Sequence, residues 1–159
     1  MPHLVFVYGT LKKGEPNHDL ISTPCNGFAQ YLGTAETVKT YPLVIASKYN
    51  IPYLMKRVGL GYNVRGEVYR VDDFMLSAID DLEGHPKYYE REQIEVNLAN
   101  RQTRKKEILS CWTYFLTHYK PFMLELPCLQ DYSSNGSHNL PYVRRYKQPD
   151  ANPHDDVKE

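Results

Sequence analysis

The chain has 159 residues, 42% of them hydrophobic and 24% charged, enough to bury the core of one folded domain. Nineteen Lys and Arg balance nineteen Asp and Glu, so the formal net charge is zero, which excludes a general electrostatic drive toward nucleic acid or an acidic membrane. No apolar run reaches the ~18 residues of a membrane span, Met1-Pro2-His3-Leu4 predicts no secretory leader, and Cys25, Cys111 and Cys128, without a C-x-x-C spacing, predict reduced thiols in the cytoplasm rather than a disulfide framework.

Leu4 to Tyr8 is a continuous apolar run, the pattern of a strand buried on both faces. Gly9 ends it. In the loop that follows, Tyr8-Gly9-Thr10-Leu11, successive main-chain N–H groups can converge on an anion. Gly9 would free the backbone for unusual dihedrals and close ligand approach, and Thr10 adds a hydroxyl. A plain strand-end turn fits the same residues. A P-loop does not, because Glu15-Pro16 follow Gly14 where Lys and Ser or Thr are required. Pro16-Asn17-His18 predicts the start of a short helix through Leu20 and Ile21.

Tyr41 to Ala46 is rich in strand formers, and Pro42 near its start points to an edge or first-residue position. Val64 to Val71 alternates loosely around Gly66, which predicts a bulge or a tight approach there. Asp72 to Glu83 predicts the clearest helix. Asp72 or Asp73 caps it, and Met75, Ile79 and Leu82 form one apolar stripe. Gly84 stops it and Pro86 forbids continuation. Glu92 to Leu98 places Ile94, Val96 and Leu98 on one strand face, and Ile108 to Leu116 reads as a second strand. Between them, Asn100 to Lys106 predicts a polar hairpin loop whose basic tips are a solvated surface. From Gln130 the composition turns to Ser, Asn, Gly, Pro and Tyr. The folded domain is expected over residues 1–146, with a polar, disordered tail over 147–159. Strands without regular strand–helix alternation predict an antiparallel α+β or small-barrel domain.

Glu83 is the candidate for proton transfer. A carboxylate at a helix C-terminus meets the negative end of the macrodipole, and Asp80 and Asp81 add like charge. Both effects disfavour the ionised form, as a proton shuttle near neutral pH requires. The same pattern describes an exposed acidic helix end costing a few tenths of a kcal/mol, and by itself it favours that reading. The six histidines lack H-x-x-x-H pairing, so no zinc site is expected, and no G-x-S-x-G elbow exists. His85 reads as an exposed turn residue beside Glu83. Most of the 14 tyrosines are expected to pack the core.

The ordered set from Val5 to Lys12, Lys13 to His18, Tyr41 to Ala46, Asn50 to Pro52, Gly66 to Tyr69, Asp80 to Glu83 and Tyr89 to Arg91 resembles the γ-glutamylcyclotransferase-like family. The likeness runs from about Leu4 to Tyr142. It departs at Gly84-His85 and from Ser137 to Tyr142, which bears on substrate preference more than on reaction type. The resemblance implies an α+β fold, a single-domain small mixed β-barrel with flanking helices. It implies a monomer acting on a small γ-glutamyl-amine, without metal or organic cofactor, and no nucleic-acid or membrane partner. By position it implies Glu83 as the catalytic acid/base and Tyr8, Gly9, Thr10 and Leu11 as the lining of the glutamyl pocket. The implied reaction opens γ-glutamyl-ε-lysine to lysine and 5-oxoproline. Two alternatives stay open: γ-glutamyl-amino acids or glutathione as substrates, or a non-catalytic binding module.

Overall fold

The computed structural model describes residues 2–99, 106–143 and Val157. The expected hairpin loop from Asn100 lies almost wholly outside the described residues, as does the expected tail, of which only Val157 is described. Val157 is fully buried, and its carbonyl accepts a hydrogen bond from Lys120 N at 2.7 Å.

Five strands close a barrel: β1 (His3–Val7), β5 (Tyr62–Val71), β2 (Ala29–Tyr41), β6 (Tyr89–Ala99) and β7 (Lys106–Leu116), in that spatial order. All neighbours are antiparallel except the closing pair, where β1 meets β7 in parallel with Val5 opposite Trp112. This is the small mixed barrel that the resemblance implies. Beside it, β3 (Leu43–Ala46) and β4 (Ile51–Leu54) form a separate two-stranded sheet, while α1 (His18–Ser22) and α2 (Asp73–Glu83) flank the barrel.

β1 is buried on both faces, as its unbroken apolar run predicts. Val5 and Val7 join the cluster containing Met75, Ile79 and Tyr114, while Phe6 and Tyr8 join the one containing Val64, Val96 and Phe115. In α2, Met75 and Ile79 are fully buried and Leu82 is partly so. Asp72 caps its first turn by accepting from Met75 N at 2.8 Å, and Gly84 closes its last at a left-handed φ of 68°.

The run Tyr41 to Ala46 is two strands. Tyr41 ends β2 and Leu43 begins β3; Pro42, with no N–H for a ladder, occupies the break, and its carbonyl accepts from Met55 N. Most of β2 shows no clean alternation in the sequence, because its pairing with β5 is interrupted twice, between Tyr31 and Gly33 and between Glu36 and Thr40. Gly66 marks a tight approach, not a bulge: a Cβ there would lie 2.3 Å from the Val7 carbonyl oxygen.

Candidate active site

The end of a strand and the end of a helix meet at one cleft. The first is the end of β1. Tyr8 is buried, and its hydroxyl donates to the Tyr114 carbonyl at 2.7 Å, which fixes the strand end against β7. The turn after it is held from α1. Asn17 N donates to Thr10 O at 2.8 Å, Asn17 Nδ2 to Thr10 Oγ1 at 2.9 Å, and His18 Nδ1 to Leu11 O at 2.9 Å. Gly9 is required here for space and not for dihedral freedom. It has no left-handed φ, yet a Cβ would come within 2.8 Å of Pro52 Cγ.

The second is the end of α2, whose last residue is Glu83, partly buried. Gly84 N donates back to Asp80 and Asp81, so the helix terminates sharply and leaves the Glu83 side chain at the cleft. The cleft is narrow, about 50 Å³, and with the open solvent before it the space comes to about 590 Å³. Tyr8, Gly9, Thr10, Leu11 and Glu83 all line it, so the fold brings together every residue expected at the site. Asn17, Ile51, Pro52, Tyr89, Tyr114 and Tyr142 complete most of the wall.

Among the described lining residues there is no Lys, Arg or His, and Glu83 is the one carboxylate. The buried phenols of Tyr8 and Tyr89 in this wall are neutral donors. Burial holds Tyr8 well above the usual phenol range, and the Glu83 charge pushes it further. Burial, the phenols of Tyr8 and Tyr53, the Glu83 charge and the Tyr142 phenol do the same for Tyr89. Tyr89 donates to the Pro52 carbonyl at 3.1 Å and stacks on Tyr53 at 5.8 Å.

The like charge expected beside Glu83 is partly offset. Asp80 Oδ1 accepts from Arg91 Nε at 2.9 Å, so its charge is paired, while Asp81 is exposed. His85 is partly buried, and its Nδ1 accepts from Arg91 N at 3.3 Å. It therefore helps tie the α2 end to β6 instead of hanging in solvent. Among the described residues no three His, Cys, Asp or Glu side chains are placed to hold a metal ion, and no helix is long and apolar enough to cross a membrane. Cys25, Cys111 and Cys128 are free thiols.

Sequence reasoning gave no role to Tyr89, Tyr114 and Tyr142. The surplus of tyrosine and the place of Tyr89 in the family motif are the available signals, and neither says which rings face a cavity. Position in a strand cannot supply that, since it depends on what covers each barrel face.

Residues 5–134 match the family described as gamma-glutamyl cyclotransferase, AIG2-like. A gamma-glutamylaminecyclotransferase of Bos taurus is 44% identical over 141 residues, which cover 89% of this chain and 82% of that protein. The Homo sapiens protein of the same name is 39% identical over 148 residues, covering 89% and 97%. A crystal structure of an AIG2-like protein from Mus musculus superposes with a TM-score of 0.85 at 38% identity, over 91% of this chain and 97% of that one.

Proposed function

This chain belongs to the gamma-glutamyl cyclotransferase, AIG2-like family of enzymes, and we propose that it is a γ-glutamylamine cyclotransferase acting on γ-glutamyl-ε-lysine. The observation that carries this reading is the shared cleft: Glu83 at the end of α2 faces the turn Gly9 to Leu11 at the end of β1. A proton-transfer group and a main-chain cradle are what the reaction needs.

The substrate brings its own nucleophile. Its α-amino nitrogen attacks the side-chain amide carbon and closes a five-membered ring. Closure is intramolecular, so holding the chain in the bent form supplies much of the rate. Glu83 takes a proton from the attacking amine as the new N–C bond forms. It then delivers that proton to the departing lysine nitrogen as the amide C–N bond breaks. One carboxyl serves both steps, the atoms balance without water, and the products are 5-oxoproline and lysine. Main-chain N–H groups of Gly9 to Leu11 bind the glutamyl carboxylate or the developing oxyanion. Asn17 holds Thr10 in place for this from both its main chain and its side chain.

The test is incubation of the purified protein with γ-glutamyl-ε-lysine, with γ-glutamyl-alanine as a parallel substrate. Equimolar lysine and 5-oxoproline from the first is the expected result. Release from γ-glutamyl-alanine alone would move the assignment to γ-glutamyl-amino acids, and no release from either would remove the enzymatic reading.

A further inference from the structure

Tyr142 reaches the cleft from a part of the chain that neither β1 nor α2 contributes. Residues 129–143 contain no helix or strand, yet they are tied down along their length. Leu129 N donates to Leu43 O and Arg65 N to Gln130 O, each at 2.7 Å. Lys12, directly after the Gly9–Leu11 turn, is almost buried; its Nζ donates to Asp131 Oδ1 at 2.6 Å and to the Tyr132 carbonyl. Ser134 N donates to Glu15 Oε2 at 3.1 Å.

The last ties flank Tyr142 itself. Asn50 Nδ2 donates to the Pro141 carbonyl at 2.8 Å, and Val143 N donates to the Tyr49 carbonyl at 2.9 Å. Tyr49 and Asn50 belong to the turn between β3 and β4, and the next two residues, Ile51 and Pro52, also line the cleft. One turn thus positions three wall residues from two distant segments. At its other end the Tyr142 phenol acts on Tyr89, inside the cleft, and on buried Tyr132. The ring is held as wall, though it is only partly buried.

We propose that Tyr142 is the specificity-determining residue for the departing amine, forming with Ile51 and Pro52 an apolar channel for an unbranched alkyl stem. The proposal rests on the cyclotransferase reading above. With the glutamyl group on the Gly9–Leu11 turn and its amide carbon at Glu83, the amine substituent must leave past the remaining wall. A lysine ε-amine puts only methylenes next to the reacting nitrogen, and these suit an aromatic and aliphatic surface. An α-amino acid puts a carboxylate there. In that position it would exchange water for the Ile51, Pro52 and Tyr142 side chains, a surface that suits methylenes and not an ionised group.

The test uses γ-glutamyl-methylamine and γ-glutamyl-n-butylamine, which differ by three methylenes. Both are titrated calorimetrically into Glu83→Gln protein, where turnover does not interfere, and into Glu83→Gln carrying Tyr142→Ala or Tyr142→Phe. The butylamide is expected to bind about tenfold tighter than the methylamide, as partial burial of three methylenes gives. Tyr142→Ala is expected to bring that ratio close to one, and Tyr142→Phe to keep it. An unchanged ratio when Tyr142→Ala is added overturns the proposal, as does a ratio near one in Glu83→Gln protein with Tyr142 intact. Because the readout is a ratio of affinities in folded protein able to bind the methylamide, loss of folding is seen separately. The kinetic arm runs the same amides on protein with Glu83 intact. Absence of turnover there would overturn the cyclotransferase reading and leave the binding ratio to decide the role of Tyr142.

Discussion

The Tyr114 hydroxyl donates to Asp80 Oδ1 at 2.6 Å, one helical turn before Glu83. The same oxygen accepts from Arg91 Nε, whose guanidinium lies over the Trp112 ring at 4.5 Å. The final turn of α2 is therefore bolted to β6 and β7 through one carboxylate. Tyr114 also lines the cleft, and its carbonyl takes the Tyr8 hydroxyl. Helix end and strand end are held to the same strand, which fixes the distance between them.

Asp80→Asn keeps the size of the side chain and removes its charge, leaving the partly buried Arg91 without its ionic partner. Stability is expected to fall by about 1–3 kcal/mol, read from the urea midpoint. Turnover of a γ-glutamylamine is expected to fall as well, because the turn that carries Glu83 loses its anchor. A variant as stable and as active as wild type would contradict this coupling.

Glu83→Gln is isosteric and cannot shuttle a proton. It is expected to retain the circular dichroism spectrum and to lose roughly 10²–10⁴-fold in kcat for 5-oxoproline release. An unchanged kcat would remove Glu83 from the mechanism.

Gly9→Ala places a methyl group 2.8 Å from Pro52 Cγ, so the turn or the β4 strand must shift. The expected outcome is a stability loss of about 1–3 kcal/mol and weaker calorimetric binding of 5-oxoproline. Full-strength binding would show that the cradle does not depend on this close approach.

Gly66→Ala meets the backbone, not a side chain: its Cβ would sit 2.3 Å from Val7 O, across the β1–β5 pairing. A carbonyl in a sheet cannot move aside without breaking register. The expected cost is about 3 kcal/mol or more by thermal or chemical unfolding.

Cys111 gives a pH dependence. Burial pushes its thiol up from an ordinary 9.0 to about 12. The unfolded chain therefore ionises first. The contribution to stability is complete below about pH 9 and is lost as pH rises toward 12. Urea midpoints measured between pH 8 and 10.5 should fall less steeply in Cys111→Ala than in wild type. Below that range, alkylation of the folded protein should mark exposed Cys25 and spare Cys111.

Elements whose local pattern and final environment agree could be read in advance. α2 has its cap, its stripe and its glycine stop within thirteen residues, and β1 is apolar from Leu4 onward because both its faces are covered. Most of β2 could not be read. Of its thirteen residues four are exposed, six partly buried and three buried, and the pairing is twice out of register, so neither period survives in the sequence. Pro42 points in the sequence to an edge or first-residue position, and not to the break it occupies between two strands in different sheets.

For the site, local chemistry marks Glu83 and the turn from Tyr8 to Leu11 as candidates only, since a plain acidic helix end and a plain strand-end turn fit the same residues; their roles are what the family resemblance implies. The meeting of these groups is a matter of barrel closure. So is the choice of Tyr89, Tyr114 and Tyr142, among fourteen tyrosines, to wall the cleft. A side chain's type is written locally, but the surface it faces is set by partners far along the chain, and only the folded packing brings those partners together.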